Sequence, residues 1–288
     1  KSEMIFFIFY KIGAFLALAL PVGISYRIAG AVARVKYMFS RCEKQEMVEN
    51  LRQVIPGAGE KKLRRYAKEI FINFAMHLVD FLRFQKVDRV FIDGHIPIPG
   101  RHFLDEGLKK GKGVIIVSAH IGSWELGGAV LGVLGYPFNV VALDHKNSRV
   151  NDFFVKQRQM KGETVISIHR PGRSCFSCLK EKKILTLVGD KDFTNNGAVI
   201  KFFGKDTLLP KGPAVLSLKT GATIIPAATI RVRNDNFKLV FDRPIEYTPC
   251  GDFEKDVVNL MRLYITVLEC YIRENPTQWY CFRRFWKE

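Results

Sequence analysis

Short apolar runs alternate with helical stretches after about residue 100, and this alternation constrains the fold more than any other feature of the chain. The runs are GVIIVSAH, NVVAL, TVISI, ILTLVGD and TIIPAATIRV, and helical spacing marks 123–134, 149–161 and 212–220. The pattern is typical of a single α/β domain with a mostly parallel or mixed central sheet flanked by helices. Because such sheets bind ligands beyond the carboxyl ends of their strands, a functional site is expected at that edge.

This α/β domain is predicted to cover residues 43–288. Before the sheet, the spacing over 44–84 predicts two helices separated by a turn at Pro56 and Gly57. His77 lies on the apolar stripe of the second helix, which is typical of a core histidine. After the sheet, FKLVFDRPIE predicts a late strand and 253–274 a long closing helix.

Residues 1–42 are predicted to form a membrane-associating helical segment. Its uncharged stretch, from Ile12 to Tyr26, is shorter than the roughly 20 residues that a spanning helix needs. Basic residues follow directly, which fits the cytoplasmic side of a membrane. We therefore expect a monotopic or single N-terminal anchor, and the alternative is that this segment is the first buried helix of the domain.

Charge and composition narrow the classes of partner. The chain has 45 Lys and Arg against 28 Asp and Glu, a net charge of +17, which attracts anionic lipid, nucleic acid or acidic proteins. Its 23 Phe favour a bilayer surface over nucleic acid. Cys175 and Cys178 have metal or redox spacing, but no second pair accompanies them, so we expect structural cysteines and no metal ion.

The segment SAHIGSWELGG, residues 118–128, places a histidine where an apolar strand ends. Ser123 is positioned to cap a helix that begins near Trp124. On one continuous helix Glu125 would point about 140° away from His120, but the two can meet if His120 lies in the turn before the helix. A paired imidazole and carboxylate suits proton removal from a hydroxyl, although the same spacing also occurs by chance.

Several segments, taken in order, resemble the blocks of a known family. SAHIGSWELGG resembles the H-x4-D/E block of the lysophospholipid acyltransferase superfamily, in the branch of lipid A biosynthesis (lauroyl and myristoyl) acyltransferases, which also includes phosphatidylinositol mannoside acyltransferases. NSRVNDFFVKQRQMKG is similar to its second block. LVGDKDFTNNGAVIKFFGKDTLLPKGPAVLSLKTGATIIPAATIR resembles its D-Q-D block, F-F-G turn, G-P-A helix start and T-G-A-x-x-x-P strand, and PTQWYCFRRFWK resembles its ending.

The resemblance implies O-acyl transfer from a thioester co-substrate, acyl carrier protein or coenzyme A, to a hydroxyl of a glycolipid of the lipid A precursor type or of a lysophospholipid. It implies no cofactor. The place of action would be the cytoplasmic face of the bacterial inner membrane, and acidic acyl carrier protein and an anionic acceptor would suit the positive surface. The alternatives are a catalytically inactive lipid- or partner-binding protein of the same fold, and a nucleic-acid-binding domain supported only by charge.

The resemblance also implies roles for individual residues. His120 would be the general base, Glu125 its orienting partner, and Asp190 an acid that assists the histidine. The candidate substrate-binding residues are Arg158, Arg170, Asp192, Lys211 and Gly212. Candidates for the acyl channel, each of which also fits a core position, are Trp124, Phe153, Phe202 and Phe203. Lys191 stands where the family has the central Gln of D-Q-D, so the polar contacts of this block are expected to differ.

Overall fold

A six-stranded sheet forms the centre of the structure, a computed structural model that describes residues 2–169 and 171–286. The strands of this sheet and of a separate hairpin are β1 (Val114–Ser118), β2 (Phe138–Ala142), β3 (Thr164–Ser167), β4 (Ile184–Val188), β5 (Ala198–Phe202), β6 (Lys205–Leu209), β7 (Thr223–Arg233) and β8 (Asn236–Phe241). Their order across the sheet is β3-β2-β4-β1-β7-β8, with β8 antiparallel at one edge and β5 paired with β6 in the hairpin. The other neighbouring strands run parallel, which confirms the predicted α/β class.

Helices cover both faces of this sheet. They are α1 (Ser2–Ala19), α2 (Val22–Phe39), α3 (Arg41–Val54), α4 (Glu60–Leu82), α5 (Arg89–His95), α6 (Arg101–Lys109), α7 (Trp124–Val133), α8 (Ser148–Gln159), α9 (Gly172–Lys180), α10 (Gly212–Thr220) and α11 (Phe253–Glu274). The helical stretches predicted after residue 100 correspond to α7, α8, α10 and α11. The two helices predicted over 44–84 correspond to α3 and α4.

Strand β1 shows why its apolar run is continuous. All five of its residues are buried. Ile115 and Val117 join a core cluster with residues of α9, α10 and α11, whereas Val114 and Ile116 join a second cluster with residues of α7 on the opposite face. Because successive side chains of a strand point to opposite faces, a strand covered on both sides has to be apolar at every position.

The register of β1 and β4 determines which residues lie next to each other beyond the carboxyl ends of these strands. The two strands are parallel, and Ser118 pairs with Val188 in the last matched position. The N–H of Gly189 donates to the Ser118 carbonyl at 2.8 Å, so the pairing continues past the strand ends. His120 and Asp190 each lie two residues beyond this matched pair and therefore emerge side by side.

A tight turn joins β1 to α7. Gly122 has φ +59°, and a Cβ at this position would overlap the carbonyl oxygen of Thr229, so glycine is required. Helix α7 begins at Trp124, as predicted, with Ser123 at the N-cap position. The predicted capping by the Ser123 side chain is wrong, because its hydroxyl donates to Oδ2 of Asp80 at 3.0 Å and makes no cap hydrogen bond.

The N-terminal segment forms two helices, α1 and α2, that pack against α4. Parts of both are buried, as at Ala17 and Tyr26. The exposed residues of the pair include the basic Lys11, Arg27, Arg34 and Lys36. They also include many apolar side chains, which are Met4, Ile8, Phe9, Ile12, Phe15, Leu16, Ile24, Ile28, Val32, Val35, Met38 and Phe39. Among the described residues, no helix has the length and apolar character needed to cross a bilayer.

Candidate active site

His120 and Asp190 form a hydrogen-bonded pair at the carboxyl edge of the sheet. Nδ1 of His120 lies 2.7 Å from Oδ1 of Asp190, and the backbone N–H of His120 donates to the same oxygen at 3.1 Å. The Asp190 side chain is fully buried, whereas that of His120 is 21% exposed. Because an ionised carboxylate only accepts hydrogen bonds, this contact assigns the proton to Nδ1 and leaves Nε2 with a free lone pair.

The surroundings of Asp190 keep it ionised although it is buried. Burial by itself raises the pKa of this carboxyl, but the hydrogen bond from His120 and the positive charge that the imidazole carries when it is protonated outweigh burial and hold the pKa below its usual range. The Lys191 ammonium contributes in the same direction, as does the indole N–H of Trp279, which donates to Oδ2 at 2.8 Å. The result is a fixed negative charge beside the imidazole.

Glu125 lies in the first turn of α7 and pairs with Arg158 of α8. The two hydrogen bonds are bidentate, at 2.9 Å from Nε to Oε2 and 2.6 Å from Nη2 to Oε1. The side chains are only 13% and 9% exposed. Burial raises the pKa of the Glu125 carboxyl, but the charge and hydrogen bonds of Arg158 outweigh it and lower the pKa. Both carboxylate oxygens are therefore engaged by a permanent cation.

This geometry corrects the predicted hydrogen-bonded dyad of His120 and Glu125. The ring nitrogen expected to contact Glu125 contacts Asp190 instead, because the register of β1 and β4 places Asp190 directly beside the imidazole. No hydrogen bond joins Glu125 and His120 in the described structure, because both oxygens of Glu125 accept from Arg158. Arg158, predicted to meet anionic substrate groups, directs its guanidinium at Glu125.

Aromatic rings surround the His120 imidazole. Trp124 makes an edge contact with it at 5.4 Å between ring centroids, and the exposed ring of Phe193 makes another at 6.1 Å. On its other side Trp124 stacks on His77 at 4.0 Å. His77 is buried, as predicted for a core histidine, and burial lowers its pKa to about 3, so it is neutral. Trp124 therefore lies beside the imidazole, and its place in an acyl channel stays a prediction.

A buried polar network is hydrogen-bonded to the turn before α7 through Ser123. Asp80 of α4 accepts hydrogen bonds from the Tyr26 hydroxyl at 2.6 Å and from the Ser123 hydroxyl at 3.0 Å. It also forms a buried ion pair with Arg231 of β7. Sequence reasoning missed this network, because its members are far apart in the chain and lack a shared motif. It connects α2, α4 and β7 to the turn that carries the site.

The C-terminal tail is hydrogen-bonded to the loops that carry the site. The N–H of Tyr280 donates to the His120 carbonyl at 2.9 Å, and the N–H of Gly122 donates to the Gln278 carbonyl at 2.9 Å. Lys191, which replaces the family's Gln, donates from Nζ to the Tyr280 carbonyl at 2.6 Å. The unusual lysine therefore links the loop after β4 to the tail.

Of the remaining predicted substrate residues, those that the structure describes have no described contact with the imidazole. Asp192 shapes its own loop by accepting hydrogen bonds from Thr194 and from the N–H of Gly197, each at 2.8 Å. Lys211 and Gly212 lie at the start of α10, where no described contact links them to His120. Arg170 lies outside the described residues.

The other predicted channel aromatics pack in the core. Phe153 contacts Tyr10 at 6.2 Å. Phe202 and Phe203 are buried beside Trp279, at 6.2 and 6.3 Å. Two surface cavities, of about 620 Å³ beside α3 and about 130 Å³ beside α2, are lined by none of the four predicted aromatics.

Comparison with known proteins gives a consistent result. Residues 2–288 match the model of the bacterial lipid A biosynthesis acyltransferase family. A phosphatidylinositol mannoside acyltransferase of Mycolicibacterium smegmatis is 25% identical over 221 residues, 75% of this chain and 72% of that protein. Proteins of the same name from two strains of Mycobacterium tuberculosis are 30% identical over 56% of this chain and 31% identical over 45% of it, and the matched regions span 50% and 42% of those proteins. The chain therefore belongs to the family of bacterial lipid A biosynthesis acyltransferases, enzymes that transfer acyl groups.

Proposed function

We propose that this protein transfers an acyl group from a thioester to a hydroxyl of a membrane glycolipid, with His120 as the general base. One observation carries the proposal. At the ligand-binding edge of the sheet, the His120 ring is held by a buried carboxylate and still exposes 21% of its side chain. The family and the names of the relatives, which are phosphatidylinositol mannoside acyltransferases, support a glycolipid acceptor. A lysophospholipid offers the same reacting hydroxyl.

The proposed reaction needs one base and one leaving group. Nε2 of His120 removes the proton from the acceptor hydroxyl while the hydroxyl oxygen attacks the thioester carbonyl carbon. The negative charge of Asp190 stabilises the imidazolium that forms. The tetrahedral intermediate then collapses, the carbon–sulfur bond breaks, and the departing thiolate takes the proton from Nε2. The products are an ester and a free thiol, so the scheme is balanced without a cofactor.

Glu125 has a different part in this proposal from the one that its spacing suggested. Both oxygens of its carboxylate are hydrogen-bonded to Arg158, and neither is hydrogen-bonded to His120 in the described structure. The pair that it forms with Arg158 joins the first turn of α7 to α8, and thereby fixes the turn that carries the imidazole.

We further propose that the exposed surface of α1 and α2, within residues 1–42, binds the cytoplasmic face of the bacterial inner membrane. Apolar side chains such as Phe15 and Phe39, 70% and 80% exposed, would enter the headgroup region, and a net charge of +17 would attract anionic lipid. The same charge would speed encounter with an acidic acyl carrier protein, the donor that we favour over coenzyme A.

The test compares His120→Ala with a matched control, His102→Ala, which removes an exposed histidine outside the site. Purified proteins receive acyl carrier protein or coenzyme A thioesters and glycolipid acceptors, and mass spectrometry measures the acylated lipid. We expect His120→Ala to lose activity by about 10²- to 10⁴-fold while it still binds vesicles, and His102→Ala to stay active. Undiminished transfer by His120→Ala would refute the proposed base.

A second measurement identifies the acceptor and tests the alternative of an inactive lipid-binding protein. Lipids from cells with and without the protein are compared by mass spectrometry, and one lipid is expected to lack a single acyl group. If the wild-type protein binds vesicles but no lipid changes in cells and no donor is consumed in vitro, the inactive lipid-binding alternative is favoured.

A further inference from the structure

The indole of Trp279 donates a hydrogen bond to Asp190, and the backbone of Trp279 is paired with Ile121, next to His120. The proposed function does not use these contacts. The side chain is 2% exposed. Its ring packs against Phe285 at 5.4 Å and Trp286 at 6.1 Å, so the tail holds the indole rigidly. The indole Nε1–H donates to Oδ2 of Asp190 at 2.8 Å. A residue from the end of the chain thus reaches the buried acid at the centre of the site.

The backbone of the same residue is joined to the loop of His120. Trp279 forms an antiparallel bridge with Ile121. On either side of this bridge, the N–H of Tyr280 donates to the His120 carbonyl and the N–H of Gly122 donates to the Gln278 carbonyl, both at 2.9 Å. The tail and the histidine loop therefore form one short ladder, and the distance between the Trp279 indole and the His120 ring is fixed by backbone hydrogen bonds.

The two oxygens of Asp190 are divided between these neighbours. Oδ1 accepts from the backbone N–H and from Nδ1 of His120, and Oδ2 accepts from Trp279. The torsion that rotates a carboxylate about its bond to Cβ is soft, so hydrogen bonds rather than the rotamer set its plane. Without the indole donor, Oδ2 would be a buried acceptor without a partner among the described side chains, and the carboxylate would be free to turn away from Nδ1.

From this geometry we propose that Trp279 is a positioning residue of the acyl-transfer reaction. Its indole N–H fixes the plane of the Asp190 carboxylate, and that carboxylate fixes the His120 imidazole. The inference rests on the proposed function in that His120 is taken as the base. Trp279 itself contacts neither substrate in this scheme, so its loss acts on the chemical step and leaves substrate binding unchanged.

The central experiment compares Trp279→Phe with Trp286→Phe. Both changes keep a ring in the same aromatic cluster and remove one indole N–H, but that of Trp286 donates to the Thr207 hydroxyl at 2.9 Å, away from the site. We expect Trp279→Phe to lower kcat by about 10- to 100-fold with KM for either substrate within about twofold, since a hydrogen bond to a charged group is lost. Trp286→Phe should keep the wild-type kcat. Equal kcat values in the two variants would overturn the proposal.

A spectroscopic measurement separates this inference from the proposed function. The Nδ1 proton of His120 is expected far downfield in the proton NMR spectrum because it is bonded to a buried carboxylate, and its signal is assigned by its absence in His120→Ala. We expect the signal to shift and broaden in Trp279→Phe and to remain in place in Trp286→Phe. This result is expected whether or not the protein transfers acyl groups, and an unmoved signal in Trp279→Phe would contradict the positioning role.

Two further variants keep the test decisive if Trp279→Phe folds poorly. Replacement of Trp279 by its sulfur isostere 3-benzothienylalanine keeps the shape of the ring and removes only the donor; a wild-type kcat in this protein would overturn the proposal. In the background of Asp190→Asn, Trp279→Phe should lower kcat by less than about twofold, because its effect passes through Asp190. A full additive loss in that double variant would show that Trp279 acts by another route.

Discussion

Two carboxylates with little solvent exposure lie near His120, Asp190 and Glu125, and the side chains that hold them differ. At the sheet edge, Asp190 accepts hydrogen bonds from the imidazole and from the indole of Trp279, and its neighbours lower its pKa. At the start of α7, Glu125 is held by the bidentate guanidinium of Arg158, and its pKa is lowered as well. Both carboxylates are ionised, but only Glu125 is hydrogen-bonded to a side chain that is always charged.

This difference indicates that Asp190 contributes to the rate of the reaction and that Glu125 contributes to the stability of the fold. A carboxylate whose partner becomes charged during the reaction stabilises the transition state more than the ground state, and therefore accelerates the chemical step. A carboxylate paired with a permanent cation makes the same interaction before and during the reaction. Removal of Asp190 should therefore reduce the rate, whereas removal of Glu125 should reduce the stability of the fold.

The largest expected effect is that of Asp190→Asn on kcat. The amide has nearly the same shape as the carboxylate, but it cannot stabilise an imidazolium and its NH₂ favours the wrong tautomer of His120. We expect kcat to fall by about 10²- to 10⁴-fold; because the lowered pKa of Asp190 means that its ionised form also stabilises the fold, some unfolding free energy is lost as well. The measurements are acyl transfer at saturating substrates and urea-induced unfolding. A kcat near wild type would remove Asp190 from the proposed mechanism.

The second prediction concerns the stability cost of Glu125→Gln, which leaves the guanidinium of Arg158 buried without a countercharge. Loss of one partner from a buried ion pair costs about 3–5 kcal/mol of unfolding free energy. The double variant with Arg158→Met should recover most of this loss, because no charge remains buried. Denaturant unfolding measures both variants.

The matched control for this prediction is Asp93→Asn, which breaks the exposed pair of Arg89 and Asp93, 59% and 61% exposed. An exposed pair contributes at most about 1 kcal/mol. Should Glu125→Gln cost no more than Asp93→Asn, the pair with Arg158 is not the fold-supporting contact that its burial indicates.

The comparison also shows what spacing along the chain could and could not predict. The apolar runs predicted the strands of the sheet, and the end of the first run predicted the position of His120. Glu125 was expected as its partner because it is five residues away. Asp190, 70 residues away, is the actual partner, because the register of β1 and β4 brings them together. Register depends on long-range packing that a local pattern does not contain.

Spacing along the chain did not predict the partner of His120, but the family resemblance did imply that Asp190 assists the histidine. The resemblance did not predict the contacts of the C-terminal tail, because nothing in the sequence distinguishes Trp279 from the other aromatic residues. The sequence did not predict the hairpin of β5 and β6, because its segments were interpreted only as part of a family motif. It did not predict helix α9 either, because that segment was considered only for its two cysteines. Cys175 and Cys178 are buried and free, consistent with the predicted structural role.

The third prediction tests His77, a titratable group close to Glu125 and His120 that is neutral in the fold. Burial lowers its pKa to about 3 from an ordinary 6.5. Below pH 6.5 the unfolded chain therefore binds a proton that the folded protein does not, and stability falls as pH decreases through this window. The expected slope is about 1.4 kcal/mol per pH unit at one histidine.

Denaturant unfolding at pH 7.5, 6 and 5 measures this slope in the wild type, in His77→Gln and in the exposed control His102→Gln. The amide of His77→Gln keeps a polar group near the Ser123 hydroxyl, which lies 3.3 Å from Nδ1 of the histidine, and does not titrate. We expect the acid-side loss to be smaller in His77→Gln only. Identical slopes in all three proteins would contradict a buried neutral His77.

The smallest predicted effect belongs to Glu163, a further buried carboxyl that has no guanidinium paired with it as Glu125 has. It is 4% exposed, and its Oε1 has no hydrogen-bond partner in the described structure. Burial, reinforced by the negative charge of Glu125, raises its pKa well above the ordinary value, and Arg158 only partly offsets this. As pH rises, the unfolded chain loses this proton at a pKa of about 4.5, whereas the folded protein keeps it until the raised pKa is reached. The stability that this carboxyl contributes is therefore complete below about pH 4.5 and is lost as pH rises through the raised pKa.

Glu163→Gln copies the neutral form at every pH and should remove this loss. Its stability should exceed that of the wild type at pH 8 by on the order of 1 kcal/mol and match it near pH 4.5. The exposed control Glu106→Gln should match the wild type at both. A variant that is less stable than the wild type at pH 8 would mean that Glu163 is ionised and held by Arg158. In that case Glu125 and Glu163 would share the guanidinium of Arg158. Glu125 would then not be paired with one permanent cation, and the argument that separates its role from that of Asp190 would fail.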